Sequence, residues 1–235
     1  MKDKENNEVL KIVLIGEASV GKTSIIYQFI DKIFQEDLQS TIGGTFNSKS
    51  IKCNNNKTLN LEIWDTAGQE QYRSINNLFY KDAYICLLVY DITNKITFNC
   101  LKDYWYEAVY QNGRKGIIFG VAGNKNDLYE EEDIAESEVQ EFCNSIDACF
   151  KLTSAKINTS IDDIFLMLGE KFVKSDFMKE LMPQYVKEDN ESEGQKSNNG
   201  SIKLKRQDIS NTSSDENDID SNNNNKFLSK GNICC

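Results

Sequence analysis

The octapeptide Gly16-Glu17-Ala18-Ser19-Val20-Gly21-Lys22-Thr23 constrains the fold of this chain more than any other stretch. An apolar run, Leu10 to Ile15, precedes it, and Ile25, Ile26, Phe29 and Ile30 follow at helical spacing, so it reads as the loop of a strand–loop–helix unit. Glycines at 16 and 21 let the backbone turn tightly and approach an anion, while the helix N-terminus adds its dipole. These are the needs of a phosphate site. Lys22 would reach the terminal phosphates as a point charge, the Thr23 hydroxyl would ligate magnesium, and Ala18, Ser19, Val20, Gly21 and Ser24 would complete the cradle. A glycine-rich turn with a surface lysine is the competing reading, and the flanking strand and helix speak against it.

Strand-type runs recur at 10–15, 46–52, 59–64, 84–90, 117–122 and 148–152, separated by helical patterns around 21–31, 97–109, 137–146 and 160–174. Such alternation predicts an α/β fold with a six-stranded, mostly parallel sheet and helices on both faces. The second and third runs are joined only by Asn54-Asn55-Asn56-Lys57, too short for a parallel crossover, so they make a hairpin with one antiparallel strand. Ser160 and Asp163 suit a capping box ahead of Ile161, Ile164, Phe165, Leu168 and Phe172.

Apolar periodicity persists to about Leu181, and Pro183, the only proline, ends it. We therefore expect a domain at 1–182 and a disordered tail at 183–235, where Asn, Ser, Asp, Glu and Lys leave too little apolar surface to offset ordering. No run resembles a signal peptide or approaches membrane-spanning length, so the expected compartment is the cytosol. Seven cysteines without a CxxC pair, and no histidine, exclude the usual zinc patterns. A net charge of −10 without a basic stripe argues against nucleic acid as a partner.

Other candidate loops sit at the carboxyl ends of strands, where nucleotides bind in open α/β sheets. Asp65 follows the third run and can hold magnesium, usually through water. Gly68 lets a backbone N–H approach a third phosphate, and the Gln69 amide has the donor and acceptor needed to orient an attacking water. The fifth run ends in Asn124-Lys125-Asn126-Asp127. An ionised Asp127 only accepts, so it suits the ring N–H and amino group of guanine and mismatches adenine. Ser154, Ala155 and Lys156 follow the last strand and can offer backbone N–H groups to the guanine carbonyl. Phe34 and Thr41 lie after the first helix, where an aromatic face can cover the base and a hydroxyl can close over magnesium, although Phe34 suits a core role equally.

Together these residues resemble the Ras superfamily of small GTPases, and within it the Rab branch, over residues 8 to about 175. The Rab-like segments are Ile42 to Phe46, Leu59 to Trp64, Tyr72 to Ile75, Phe79 to Ala83 and Tyr90 to Thr93. Tyr129 and the acidic run after Asp127 look closest to the endosomal Rabs. The resemblance implies a switch that alternates between GDP and GTP with magnesium, with Gln69, Lys22 and Thr41 as its catalytic residues. Thr41 would lie in the first switch and Gln69 to about Phe79 in the second. Phe46, Trp64 and Phe79 match the aromatic trio that Rabs present to effectors. Implied partners are an exchange factor, an activating protein, a prenylation escort and a GDP-dissociation inhibitor. Cys234-Cys235 resembles the double geranylgeranylation signal, which would anchor the chain on the cytoplasmic face of a membrane. Ala18 departs from the glycine or serine frequent there, as do Gln71, Lys81-Asp82 and Leu152 from their family counterparts. A methyl group at Ala18 would crowd Gln69, so a GTP-locked binding module is the alternative.

Overall fold

The computed structural model describes residues 8–41, 43–54, 57–68 and 73–183. Ile42, Asn55, Asn56, Gln69 to Tyr72 and the tail after Pro183, with Cys234 and Cys235, lie outside them.

Six strands form one sheet in the order β2-β3-β1-β4-β5-β6: β1 Val9–Ile15, β2 Gly44–Lys52, β3 Thr58–Thr66, β4 Ile85–Asp91, β5 Ile118–Asn124 and β6 Cys149–Leu152. β1 pairs in parallel with β3 and β4, and β5 in parallel with β4 and β6. Only β2 runs antiparallel, pairing Phe46 with Trp64 and Lys52 with Thr58 across the expected hairpin.

The central strands are apolar on both faces, and their period of two sorts them into two cores. Leu10, Ile12 and Leu14 of β1 and Ile85, Leu87 and Val89 of β4 pack with α1 (Lys22–Asp31) and α6 (Ile161–Val173), where Phe29 stacks on Phe165 at 3.9 Å. On the opposite face Val13, Ile15, Cys86, Leu88 and Tyr90 meet Leu101, Trp105, Val109, Val139 and Cys143. Those partners come from one helical run and from α5 (Glu136–Ser145). The run comprises α3 (Lys95–Cys100), a π-helical segment Leu101–Tyr106 and α4 (Glu107–Asn112). Helices thus cover both faces, as expected. Two further helices, α2 (Arg73–Tyr80) and α7 (Asp176–Leu181), escaped the periodicity reading, since each gives only about two turns of pattern.

The capping box expected at Ser160 does not form. Ser160 lies in the left-handed region at φ 53°, and its side chain makes no cap hydrogen bond. Its backbone is fixed from upstream, where Ser154 and Thr159 exchange N–H···O bonds of 3.1 and 3.0 Å and close the loop after β6. That bridge positions residues 153–156 at the cost of the cap.

Candidate functional site

β1 has β3 on one side and β4 on the other, so chain connections leave it in opposite directions and open a crevice at its carboxyl end. A cleft of about 410 Å³ lies there. Ala18, Ser19, Gly21, Lys22, Thr23 and Ser24 border it, with Phe34, Thr41 and Gly68 and, further along, Asn124, Lys125, Asp127, Ala155 and Lys156. Gly16, Val20, Asp65 and Ser154 do not border it; each holds a residue that does.

At one end stands Lys22, only 5% exposed. Its Nζ donates to the Gly16 and Glu17 carbonyls, both at 2.8 Å. Burial pushes its pKa down to about 8, against the attraction of Asp65 and Glu17. Two neutral carbonyls orient the ammonium without neutralising it, which suits a group that awaits an anion. Gly21, at φ 94°, is needed here, because a Cβ would stand 2.3 Å from Asn124 Nδ2. At Gly68 a Cβ would stand 2.4 Å from the Glu17 carbonyl oxygen and 2.5 Å from the Ala18 nitrogen, so the segment after β3 rests directly on the loop.

Beside Lys22, three oxygens gather. Thr23 Oγ1 donates to Asp65 Oδ2 at 2.6 Å, and Thr41 Oγ1 lies 2.9 Å from Thr23 Oγ1 and 3.2 Å from the same carboxylate oxygen. Asp65 Oδ1 is buried with no hydrogen-bond partner among the described residues. Burial raises the Asp65 pKa, while the Thr23 hydrogen bond and Lys22 oppose the shift. A cation would satisfy the orphaned oxygen. No group of three or more His, Cys, Asp or Glu side chains gathers among the described residues, so one carboxylate and two hydroxyls are the available donors. That set fits magnesium, which binds through few protein ligands and keeps water and phosphate oxygens.

The other end is organised by Asn124, whose buried amide joins three loops. Its Nδ2 donates to the Val20 carbonyl at 2.9 Å, and its Oδ1 accepts from Ala155 N at 3.3 Å and Thr153 Oγ1 at 3.4 Å. The partners fix which amide atom is which. Ser154 Oγ donates to Asp127 Oδ1 at 2.5 Å and accepts from Ile157 N at 3.2 Å, so the carboxylate is aimed before any base arrives. Lys125, at φ 70°, pairs with Asp91 at 2.6 Å across the end of β4.

Phe34 borders the cleft and packs against the first core. Sequence reasoning missed Gln35, Glu36, Leu38, Gln39, Ser40, Thr66 and Leu128, which also border the cleft. Glu36 reaches Lys156 at 3.3 Å across the mouth. No motif marks that pair, because it depends on how the loop after α1 folds.

Among models of known families, that of the Ras family matches residues 11–174. The chain belongs to the Ras family. Its similarity to Rab proteins places it in the Rab branch: it is 35% identical to Ras-related protein Rab-22A of Homo sapiens over 167 residues, 71% of this chain and 85% of that protein. The Mus musculus Rab-22A gives the same values. RabJ of Dictyostelium discoideum is 37% identical over 163 residues, 69% of this chain and 63% of that one.

In this Rab-branch chain the three aromatic residues singled out in the sequence form one surface patch. Phe46, 54% exposed, lies opposite Trp64 in the β2–β3 ladder with ring centroids 5.3 Å apart, and Phe79 of α2 meets Trp64 at 5.4 Å. Trp64 is half-buried, as is Phe79. Lys11 Nζ sits 4.7 Å from the Trp64 ring centroid, and the indole packs against the rim of the second core while staying half-exposed.

Proposed function

We propose that this chain is a GTP-binding switch that hydrolyses GTP to GDP and phosphate and recruits effectors in vesicle traffic, at the cytoplasmic face of endosomal membranes. One observation carries the reading: Asn124 bonds the phosphate loop to the loop after β6 and so sets the distance between the Lys22 end and the Asp127 end. A ligand that uses both ends has phosphates at one and a purine at the other. Asp127, with two acceptors, selects guanine. Lys22 and the loop N–H groups hold the phosphates, Thr23, Thr41 and Asp65 hold magnesium, and Gln69 orients the attacking water. Bound there, magnesium would supply positive charge against the phosphates. Titration with GDP, GTP and ATP, followed by single-turnover hydrolysis with magnesium, tests the reading. Guanine nucleotides should bind far tighter than ATP, and GTP should turn over on the order of 10⁻⁴ to 10⁻² s⁻¹ without an activating protein. Equal affinity for ATP and GTP would overturn it.

Phe46, Trp64 and Phe79 form the effector surface in this reading, while an exchange factor and an activating protein act on the cleft. Geranylgeranyl chains on Cys234 and Cys235, loaded through an escort and extracted by a GDP-dissociation inhibitor, supply the membrane anchor. Two chains anchor firmly where one is marginal, at about 0.8 kcal/mol per buried methylene. Replacing both cysteines with serine should move the protein from membranes to the soluble fraction in cells. Unchanged membrane retention would rule prenylation out as the anchor.

A GTP-locked binding module is the second reading, and Ala18 favours it. The segment after β3 rests on the Ala18 backbone at Gly68, the residue that precedes Gln69 in sequence. A module would stay GTP-bound with or without an activating protein.

A further inference from the structure

We propose that Trp105 is a positioning residue for the phosphate loop, acting through Glu17; the inference rests on the guanine-nucleotide reading above. Neither residue borders the cleft. Trp105 is 1% exposed, inside the second core and edge-on to Tyr104 at 4.9 Å. A buried indole N–H needs an acceptor, and here it donates to Glu17 Oε1 at 2.8 Å, across 88 positions of sequence. The bond is charge-assisted and belongs to the stronger class.

Trp105 lies within a change of helical register. Between α3 and α4 the six residues Leu101–Tyr106 form a π-helix, while the junction residues Leu101 and Glu107 keep right-handed helical angles, so the run is continuous through the change. A π turn closes i→i+5 instead of i→i+4. Leu101 and Trp105 are the two buried residues of the segment, and with Phe98 and Val109 they keep one apolar face through it.

Glu17 joins three parts of the site. Its carbonyl accepts from Lys22 Nζ, it supports the backbone at Gly68, and its carboxylate is held by Trp105. The indole anchors the Glu17 side chain and, through it, the carbonyl that orients the Lys22 ammonium. Without that anchor the loop backbone at Glu17 loosens and the phosphates lose part of their hold.

The test uses the full chain loaded with a ribose-labelled fluorescent GDP and chased with excess unlabelled GDP. Trp105→Phe, which keeps the ring and removes the donor, should speed release about tenfold, the scale of one charge-assisted hydrogen bond. Glu17→Ala should do the same. The double variant should be no faster than either single, and Glu17→Gln, which keeps an acceptor, should stay within about twofold of the parent. A purely structural role for Trp105 would lower the melting temperature and give multiplied rates in the double variant. Should Trp105→Phe fail to fold, Glu17→Ala and Glu17→Gln decide from the loop side. Parental release rates in these variants, or multiplicative effects, overturn the inference and leave the guanine reading standing. A parent protein that retains no labelled GDP overturns both.

Discussion

Asp127→Asn should lower affinity for GDP and GTP by about 10⁴-fold and create affinity for xanthosine nucleotides. An ionised Asp127 presents two acceptors to the guanine ring N–H and amino group. Asparagine turns one acceptor into a donor, so one guanine donor faces another in a partly desolvated site. Xanthine carries a carbonyl where guanine has its amino group and therefore matches the new donor. Asparagine is the informative choice because its carbonyl can still accept from Ser154 Oγ, the bond that aims Asp127 in the structure. The loop should keep its shape, and the change reads recognition instead of folding. Competition between labelled GDP and unlabelled GDP, XDP and ADP measures the effect. Binding of GDP within tenfold of the parent would show that Asp127 does not read the base.

The same structure shows which parts of this arrangement local sequence carries. Strand runs such as Leu10 to Ile15, Lys11 excepted, and Ile117 to Gly123 carry no polar side chain, because both sheet faces are covered, and a strand end followed by Asn124 or Asp65 marks a loop at the crevice. Each element recovered in this way has its cause within a few residues. Elements that stayed hidden have their cause elsewhere in the chain. Ser160 is drawn out of its cap by the Ser154–Thr159 bridge, and the Trp105 N–H finds its acceptor on a loop 88 positions away. A window of eleven residues sees neither.

Asn124 illustrates the middle case. Its place at the end of β5 identified it as a nucleotide residue, yet its bonds go to Val20, Thr153 and Ala155. Sequence position located the residue, while its function as a brace between loops needed the tertiary fold. The same applies to Asp65, whose orphaned Oδ1 argues for a cation more directly than any spacing of acidic residues.

Gln69→Leu should leave guanine nucleotide affinity within about twofold of the parent and abolish stimulation of hydrolysis by an activating protein, a loss on the order of 10³ to 10⁵. The leucine keeps similar bulk but has neither the donor nor the acceptor that orients water, so ground-state binding is spared and the transition state loses its positioned nucleophile. Single-turnover hydrolysis of labelled GTP, with and without an activating protein, separates three outcomes. Stimulation in the parent and none in the variant establishes Gln69 as the residue that places the water. Equal stimulated turnover in both would remove Gln69 from the mechanism. Failure of the parent itself to respond would favour the GTP-locked module and point to Ala18: its backbone nitrogen lies 2.5 Å from the site of a Cβ at Gly68, one residue before Gln69. In that case Ala18→Gly is the change that should restore stimulated turnover, since it removes the Ala18 methyl from the loop on which Gly68 rests.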